Sequence, residues 1–233
     1  MSSVSNLISI IIPALNEETA LSQNLPKLQI YRERGHEIIL VDGGSHDQSL
    51  LVARPLVDRY IQTVKGRAHQ MNEGADVAKN DTLLFLHADT GLPDSADVSI
   101  LGALDSAEHL WGRFNVSFSN KKFMFKVISS AMNIRSAMTG IATGDQAIFV
   151  NKCTFEDVGF FDRIPLMEDV ALSKKLLKHS RPCCLQETVK TSSRRWEKHG
   201  IYKTILLMWR LRLAYFLGTS PGKLADQYYP DSK

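Results

Sequence analysis

The chain has 233 residues, 44% hydrophobic and 23% charged, with a formal net charge of +3. That suffices for one α/β domain or a domain with an appendage, and it excludes a disordered, highly charged chain and nucleic-acid binding driven by bulk positive charge. Cys153, Cys183 and Cys184 lack metal-ligand spacing, and adjacent cysteines rarely form a structural bridge, so the composition predicts a reducing compartment and no structural zinc.

Leu7–Ile12 is a short Ile-rich run, the mark of a strand buried on both faces. Glu17 to about Arg34 carries Ala20, Leu21, Leu25, Leu28 and Ile30 and reads as a helix stopped by Gly35. Ile38–Val41 is a second buried strand, followed by a Gly-Gly-Ser turn and a helix from about Asp47. Arg59–Val64 reads as a strand, Gly66 to about Ala78 as a helix and Leu83–Leu86 as a strand. Strands and helices alternating over short connections predict a mostly parallel central sheet wound in the Rossmann manner.

Beyond about Asp105 the pattern loosens. Trp111–Ser119 alternates with Trp111, Arg113, Asn115 and Ser117 on one face, Lys121–Met138 is an apolar-rich helix, and Gln146–Val150 is a strand. Glu168–Lys178 reads as a helix, Cys183–Leu185 and Val189–Arg195 as a strand pair, and Glu197–Leu217 as one long helix, with a short one after Pro221. Between Lys190 and Arg212, seven basic residues face one acid, a net +6, so the rest of the chain carries −3. That layout suits an anionic ligand or a membrane surface. The first residues lack the basic region of a signal peptide, and no run approaches ~20 apolar residues. The expectation is a cytoplasmic protein.

Acidic motifs end the strands: Pro13-Ala14-Leu15-Asn16-Glu17, Asp42-Gly43-Gly44-Ser45-His46-Asp47 and His87-Ala88-Asp89, with Met167-Glu168-Asp169 opening a later helix. Open α/β sheets bind ligands at the carboxyl ends of their strands. Carboxylates there repel a bare phosphate, so a divalent ion or a sugar is expected between them and the ligand. Neither G-x-G-x-x-G nor G-x-x-x-x-G-K-[ST] is present, which argues against a nicotinamide Rossmann enzyme and a P-loop ATPase.

Each motif by itself has a second reading. Asp89 suits a metal ligand or a turn before Pro93, and His87 either ligates beside it or hydrogen-bonds it. Asp42 binds ribose or only forms a turn, Glu168-Asp169 acts chemically or only caps a helix, and Arg194-Arg195-Trp196 is a site element or a solvated cluster.

The order PALNEE, VDGGSHD, GRAHQMNEGA, FLHAD, GDQ, MED, RRW resembles the family 2 glycosyltransferases of the GT-A fold over about Ile8 to Trp196, and is most similar to the small single-domain branch with H-A-D in place of D-x-D. The resemblance implies an α/β GT-A fold with a helical C-terminal arm: a nucleotide-binding half over about 1–105, an acceptor half over about 106–196, and an arm over 197–233. It implies Asp89, with His87, at a divalent metal (Mg or Mn) that bridges the donor diphosphate. Asp169, with Glu168, is then the catalytic acid pair, Asp169 serving as general base. Pro13, Asn16, Glu17, Asp42, Arg67, Asn72, Gly144, Asp145, Gln146, Arg194, Arg195 and Trp196 would bind the nucleotide-diphosphate sugar.

Three departures from the family pattern stand out. Gly43 replaces the second acid of D-D-G-S, His87 the first acid of D-x-D, and Ser192 the Gln of Q-x-x-R-W. With no spanning helix, the expected reaction is non-processive, hexosyltransferase-like transfer with inversion. The competing classes are a nucleotide-sugar-binding protein without transferase activity and a nucleotidyltransferase on a similar fold. The greasy, basic stretch around Ile205–Phe216 reads either as a helix buried against the domain or a second copy, or as one lying on an anionic membrane that presents a lipid-linked acceptor. The latter places the protein peripherally at the inner membrane face. No nucleic-acid partner is expected.

Overall fold

A computed structural model of the chain describes residues 7–106 and 108–229. Most of the start read for a signal peptide and the last four residues of the arm lie outside the described residues. The first half follows the predicted alternation: β1 (Ile8–Ala14), α1 (Glu18–Glu33), β2 (Glu37–Asp42), α2 (Ser49–Ala53), β3 (Arg59–Gln62), α3 (Arg67–Val77) and β4 (Thr82–Phe85). The continuous apolar runs of β1 and β2 form strands because both sheet faces are covered. Ile10, Ile12, Ile38 and Leu40 pack with Leu21, Leu25 and Leu28 of α1 on one face. Ile11, Ile39 and Val41 pack with Ala68, Met71 and Ala75 of α3 on the other. Each fully buried Ile or Leu stabilises the fold by roughly 1.5–3 kcal/mol, so these two layers hold the strand ends in place.

The second half contains α4 (Ala96–Asp105), β5 (Trp111–Phe118), α5 (Phe123–Thr139), β6 (Phe149–Asn151), α6 (Lys152–Asp157), α7 (Glu168–Leu176), β7 (Cys183–Thr191), α8 (Arg194–His199), α9 (Ile201–Phe216) and α10 (Pro221–Tyr228). The sheet order is β3-β2-β1-β4-β6-β5-β7, with β6 antiparallel to both neighbours and the other pairings parallel. That inversion sets up the site. An antiparallel β6 begins at the edge where β4 ends, so the turn before it (Gly144–Gln146) lies beside the loop after β4 (His87–Asp89).

The structure corrects four sequence expectations. The pair expected at Cys183–Leu185 and Val189–Arg195 is one strand, β7, whose register against β5 shifts between Arg113 and Asn115. Gln186-Glu187 interrupts the apolar pattern, and the bulge absorbs it. The strand expected at Gln146–Val150 starts only at Phe149, because Gly144–Gln146 is a single 3-10 turn. The single helix expected over Glu197–Leu217 is α8 and α9 divided at Gly200, whose φ of 84° no helix accommodates. The boundary expected at residue 196 falls inside α8. α4 and α6 carry no sequence expectation.

The arm packs on the body. Leu211 of α9 and Leu224 of α10 are buried against Leu166 and Met167, just before α7. α9 itself buries only Thr204 and Leu211. Leu206, Trp209, Leu213 and Phe216 are 60–78% exposed, which overturns burial of this helix within one chain. No helix among the described residues is long and apolar enough to cross a membrane.

Candidate active site

The loops after β1 and β2 are knitted together. The Asp42 carboxylate accepts from the Gly44 and Ser45 amides at 3.1 and 2.9 Å and from the Ser45 hydroxyl. It is 1% exposed, and it helps to raise the Tyr60 phenol to about 12, after burial itself. Asn16, at φ 54°, accepts from the His46 amide at 2.8 Å, while its own amide donates to the Ser45 hydroxyl at 2.8 Å. Asn tolerates this left-handed backbone, which explains its place in the motif. Pro13 is the next-to-last residue of β1 and pairs with Val41 of β2. The Gln70 amide donates to the Ala14 and Val41 carbonyls, and a side chain at Gly43 would meet Gln70 at 3.2 Å. Gln70 therefore occupies the place that a second acid of D-D-G-S would crowd.

Two expected ligand contacts are structural instead. Both ends of the Asn72 amide bond the Phe161 backbone, at 2.9 and 3.0 Å, so Asn72 braces the loop before α7 and is not presented to a nucleotide. Gln146 is fully buried and closes the 3-10 turn through the Thr143 amide at 3.2 Å. A polar residue type at a motif position does not reveal whether its hydrogen bonds are already satisfied inside the fold.

The chemistry-bearing groups meet where the β4 loop, the Gly144–Gln146 turn and α7 converge. The Gly144 amide donates to Asp169 Oδ2 at 2.9 Å, and the Val170 amide to Asp169 Oδ1 at 2.7 Å. Burial and the neighbouring Glu168 charge nevertheless push the Asp169 carboxyl up to about 6. Glu168 is 4% exposed and lies 3.5 Å from Arg67 Nη1. Met167, held at φ 69° just before the helix, turns both acids inward.

His87 does not hydrogen-bond Asp89. Its Nδ1 lies 3.3 Å from Asp145 Oδ1, and a Cβ at Gly144 would lie 2.4 Å from its Nε2. Only Nδ1 is taken up within the protein: Nε2 is buried without a hydrogen-bond partner among the described residues, and only glycine fits at position 144. The Asp89 carboxylate has no hydrogen-bond partner among the described residues, and burial raises its pKa, with Asp145 adding to the rise and His87, Arg194 and Arg67 opposing it. Arg194 Nη2 pairs with Glu17 at 3.0 Å. The Arg195 guanidinium is committed to the arm, donating to the Tyr228 carbonyl at 2.9 Å and stacking 3.6 Å from its ring. Trp196 packs edge-on against Phe118.

Arg67, His87, Gly144, Asp145, Glu168 and Asp169 form the polar end of a cavity of about 720 Å³. Its other walls are apolar: Val127, Ile128, Ala131 and Met132 of α5, Met208 and Trp209 of α9. The motifs hold no signal for this wall. The helical periodicity of Lys121–Met138 and the greasy α9 do, but only as apolar surface of unassigned partner.

The model of glycosyl transferase family 2 matches residues 9–162, from β1 to the loop before α7. The chain belongs to this family. Among curated relatives, it is 22% identical to a poly-beta-1,6-N-acetyl-D-glucosamine synthase of Staphylococcus epidermidis, over 72% of this chain and 45% of that protein. It is 36% identical to a PGL/p-HBAD biosynthesis glycosyltransferase of Mycobacterium tuberculosis, over 42% of this chain and 41% of that protein. The chain thus spans less than half the length of the curated relatives it matches. Solved structures of similar fold include S. aureus TarS 1-349 in complex with UDP (TM-score 0.64, 18% identity, 79% of this chain and 60% of that one). Mannosyltransferase PcManGT from Pyrobaculum calidifontis, in complex with GDP-Man and Mn2+, is another (TM-score 0.65, 18% identity, 89% of this chain and 60% of that one). The family 2 chain has the expected GT-A architecture, with the helical arm forming a wall of the cavity.

Proposed function

We propose that the protein transfers a sugar from a nucleotide-diphosphate sugar to an acceptor hydroxyl with inversion, one residue at a time. The observation that carries this reading is Asp169, a carboxylate raised to about 6 and fixed by two backbone amides at the polar end of the apolar cavity. A base near neutral pH that remains largely ionised suits removal of a hydroxyl proton during attack. The acceptor oxygen forms its bond to the anomeric carbon, its proton passes to Asp169, and the bond from that carbon to the diphosphate breaks. Attack from the side opposite the leaving group inverts the centre.

Among the described residues no three His, Cys, Asp or Glu side chains form a metal cage. Asp89 fits a divalent ion shared with the diphosphate, because its hard oxygens have no other partner and a cation would relieve the buried charge. His87 braces Asp145 through Nδ1 in this reading, and its Nε2, without a hydrogen-bond partner among the described residues, remains a nitrogen donor for the expected ion. When bound, the ion offsets charge on the departing diphosphate. Arg67 and Arg194 add positive charge at that end, a role the sequence assigned to Arg194 or Arg195. The β1 and β2 loops, with Asn16, Glu17 and Asp42, shape the nucleotide pocket. The division into a donor half, an acceptor half and an arm follows this assignment.

The exposed Trp209, Leu213 and Phe216, with Lys203 and Arg210 on the same helix, also support contact of α9 with an anionic membrane that delivers the acceptor. Flotation with anionic liposomes tests that contact. Loss of binding in the Trp209→Ser, Phe216→Ser double variant supports it, and no binding by the unaltered protein at low salt refutes it.

The central experiment incubates the protein with uridine and guanosine diphosphate sugars and divalent ions, and identifies the released nucleotide. Nucleoside diphosphate is expected. Pyrophosphate release would indicate a nucleotidyltransferase, and donor binding with no turnover, even with an acceptor extract, would indicate a binding protein.

A further inference from the structure

Arg135 on α5 lines the same cavity and belongs to none of the acidic or basic motifs. Its Nε and Nη2 are sealed from solvent and have no hydrogen-bond partner among the described residues. Burial lowers its pKa, Asp169 counters this and Arg113 adds to it. Arg113 is itself 1% exposed and bonds only neutral groups, among them the Asn133 carbonyl at 3.2 Å. Arg135 lines the cavity and Arg113 is near enough to repel it, and neither guanidinium has an ion pair among the described residues. Of the carboxylates in the lining, Glu168 faces Arg67, Asp145 faces His87, and Asp169, held by two backbone amides, attracts Arg135 without forming an ion pair with it. A buried cation is ordinarily paired, and truncating a long side chain would cost less than keeping an unpaired charge. The wall opposite is greasy, and Arg212 of α9 adds a further positive charge to the lining.

We propose that Arg135 anchors the acceptor, which is an apolar molecule bearing an acidic group, carboxylate or phosphate, close to the hydroxyl that Asp169 deprotonates. The apolar part lies along Val127, Ala131, Met208 and Trp209. The anion faces Arg135, which leaves the hydroxyl at Asp169. Because the anion accepts hydrogen bonds from guanidinium nitrogens that have no partner among the described residues, its binding gains from both the apolar contact and the ion pair. This proposal rests on the transferase reading for the role of Asp169, but the anion site itself does not.

Calorimetry with decyl phosphate, decanoate, decanol and inorganic phosphate tests it directly on the full chain. One of the two acidic amphiphiles is expected to bind at least ~10-fold more tightly than decanol and inorganic phosphate, and the tighter one identifies the acid. Arg135→Met should reduce that ligand to the level of decanol, and Arg135→Lys should restore part of the preference. Ala131→Phe, which fills the apolar wall, should weaken all the decyl compounds while leaving the charge. Nucleoside diphosphate affinity should stay unchanged in every variant. Three results overturn the proposal: an undiminished preference in Arg135→Met, inorganic phosphate binding as tightly as decyl phosphate, or loss of nucleoside diphosphate binding in Arg135→Met, which would move Arg135 to the donor. If the protein binds acidic amphiphiles as expected yet releases no nucleoside diphosphate from any donor, the anion site stands and the transferase reading fails.

Discussion

The β1–β2 loops and the α5–α7 wall face the same sheet edge, yet they differ in how far their polar groups are satisfied. In the first region the Asp42 carboxylate and Asn16 Oδ1 accept from backbone amides, and Gln70 Nε2 donates to two backbone carbonyls. In the second, among the described residues, Asp89 has no hydrogen-bond partner, Asp169 carries a raised pKa and Arg135 has two orphaned nitrogens. Both regions contain motif acids. A satisfied acid builds a loop of fixed shape, whereas an unsatisfied one keeps interaction energy available for a ligand. The comparison assigns shape to one region and chemistry to the other.

Asp169→Asn should lower transfer by roughly 10²–10⁴-fold, the usual contribution of a general base, with nucleoside diphosphate affinity nearly unchanged. Steady-state rates with titration of the nucleotide measure this, and near-normal turnover would remove Asp169 from the chemical step.

Asp89→Ala should weaken metal-dependent nucleoside diphosphate binding at least ~10-fold, and chelation should do the same to the unaltered protein. Equal affinity with chelator and with metal would end the shared-ion reading.

Asp42→Ala should act mainly on the fold. Leaving the Gly44 and Ser45 amides without their acceptor costs roughly 1–3 kcal/mol, read as a fall in denaturation midpoint. A large loss of turnover with unchanged stability would break the comparison, because it would give Asp42 a direct part in chemistry.

The smallest effect concerns pH. Asp169 titrates near 3.8 when unfolded and about 6 when folded, so between those values the folded state holds more protons. Stability contributed by this group is therefore full below about 4 and lost as pH rises through about 6. Asp169→Asn removes this pH dependence, while its NH2 group gives up one of the two backbone amide bonds, so its stability should change less between pH 4.5 and 7.5 than that of the unaltered protein. The rate profile of the unaltered protein should show an acidic limb near 6 that belongs to the Glu168–Asp169 pair. Thermal melts at pH 4.5 and 7.5 check the sign.

Much of the donor side was legible in the chain. Continuous apolar runs ending in acids predict buried parallel strands with carboxylates at one edge, because both faces of such a sheet must be covered and its ligands sit at its carboxyl ends. β1, β2 and β4 follow that rule, and the motif order carries the family. Sequence could not reveal which motif residues were already satisfied. Asn72 and Gln146 have the right type and position, but Phe161 and Thr143 take their amides. It also could not place His87 against Gly144 and Asp145, since the antiparallel entry of β6 creates that contact.

By itself the sequence determined the strand–helix alternation, the acidic edge and the family, all of which follow from local periodicity and motif order. Only the tertiary structure decided that α5, α7 and α9 enclose one apolar cavity ending at Asp169, and that Arg135 lies in its wall with two nitrogens that lack a hydrogen-bond partner among the described residues. A helix shows in its sequence which residues are apolar, but which face meets which neighbour, and which charges are left uncompensated, depends on packing between segments far apart in the chain.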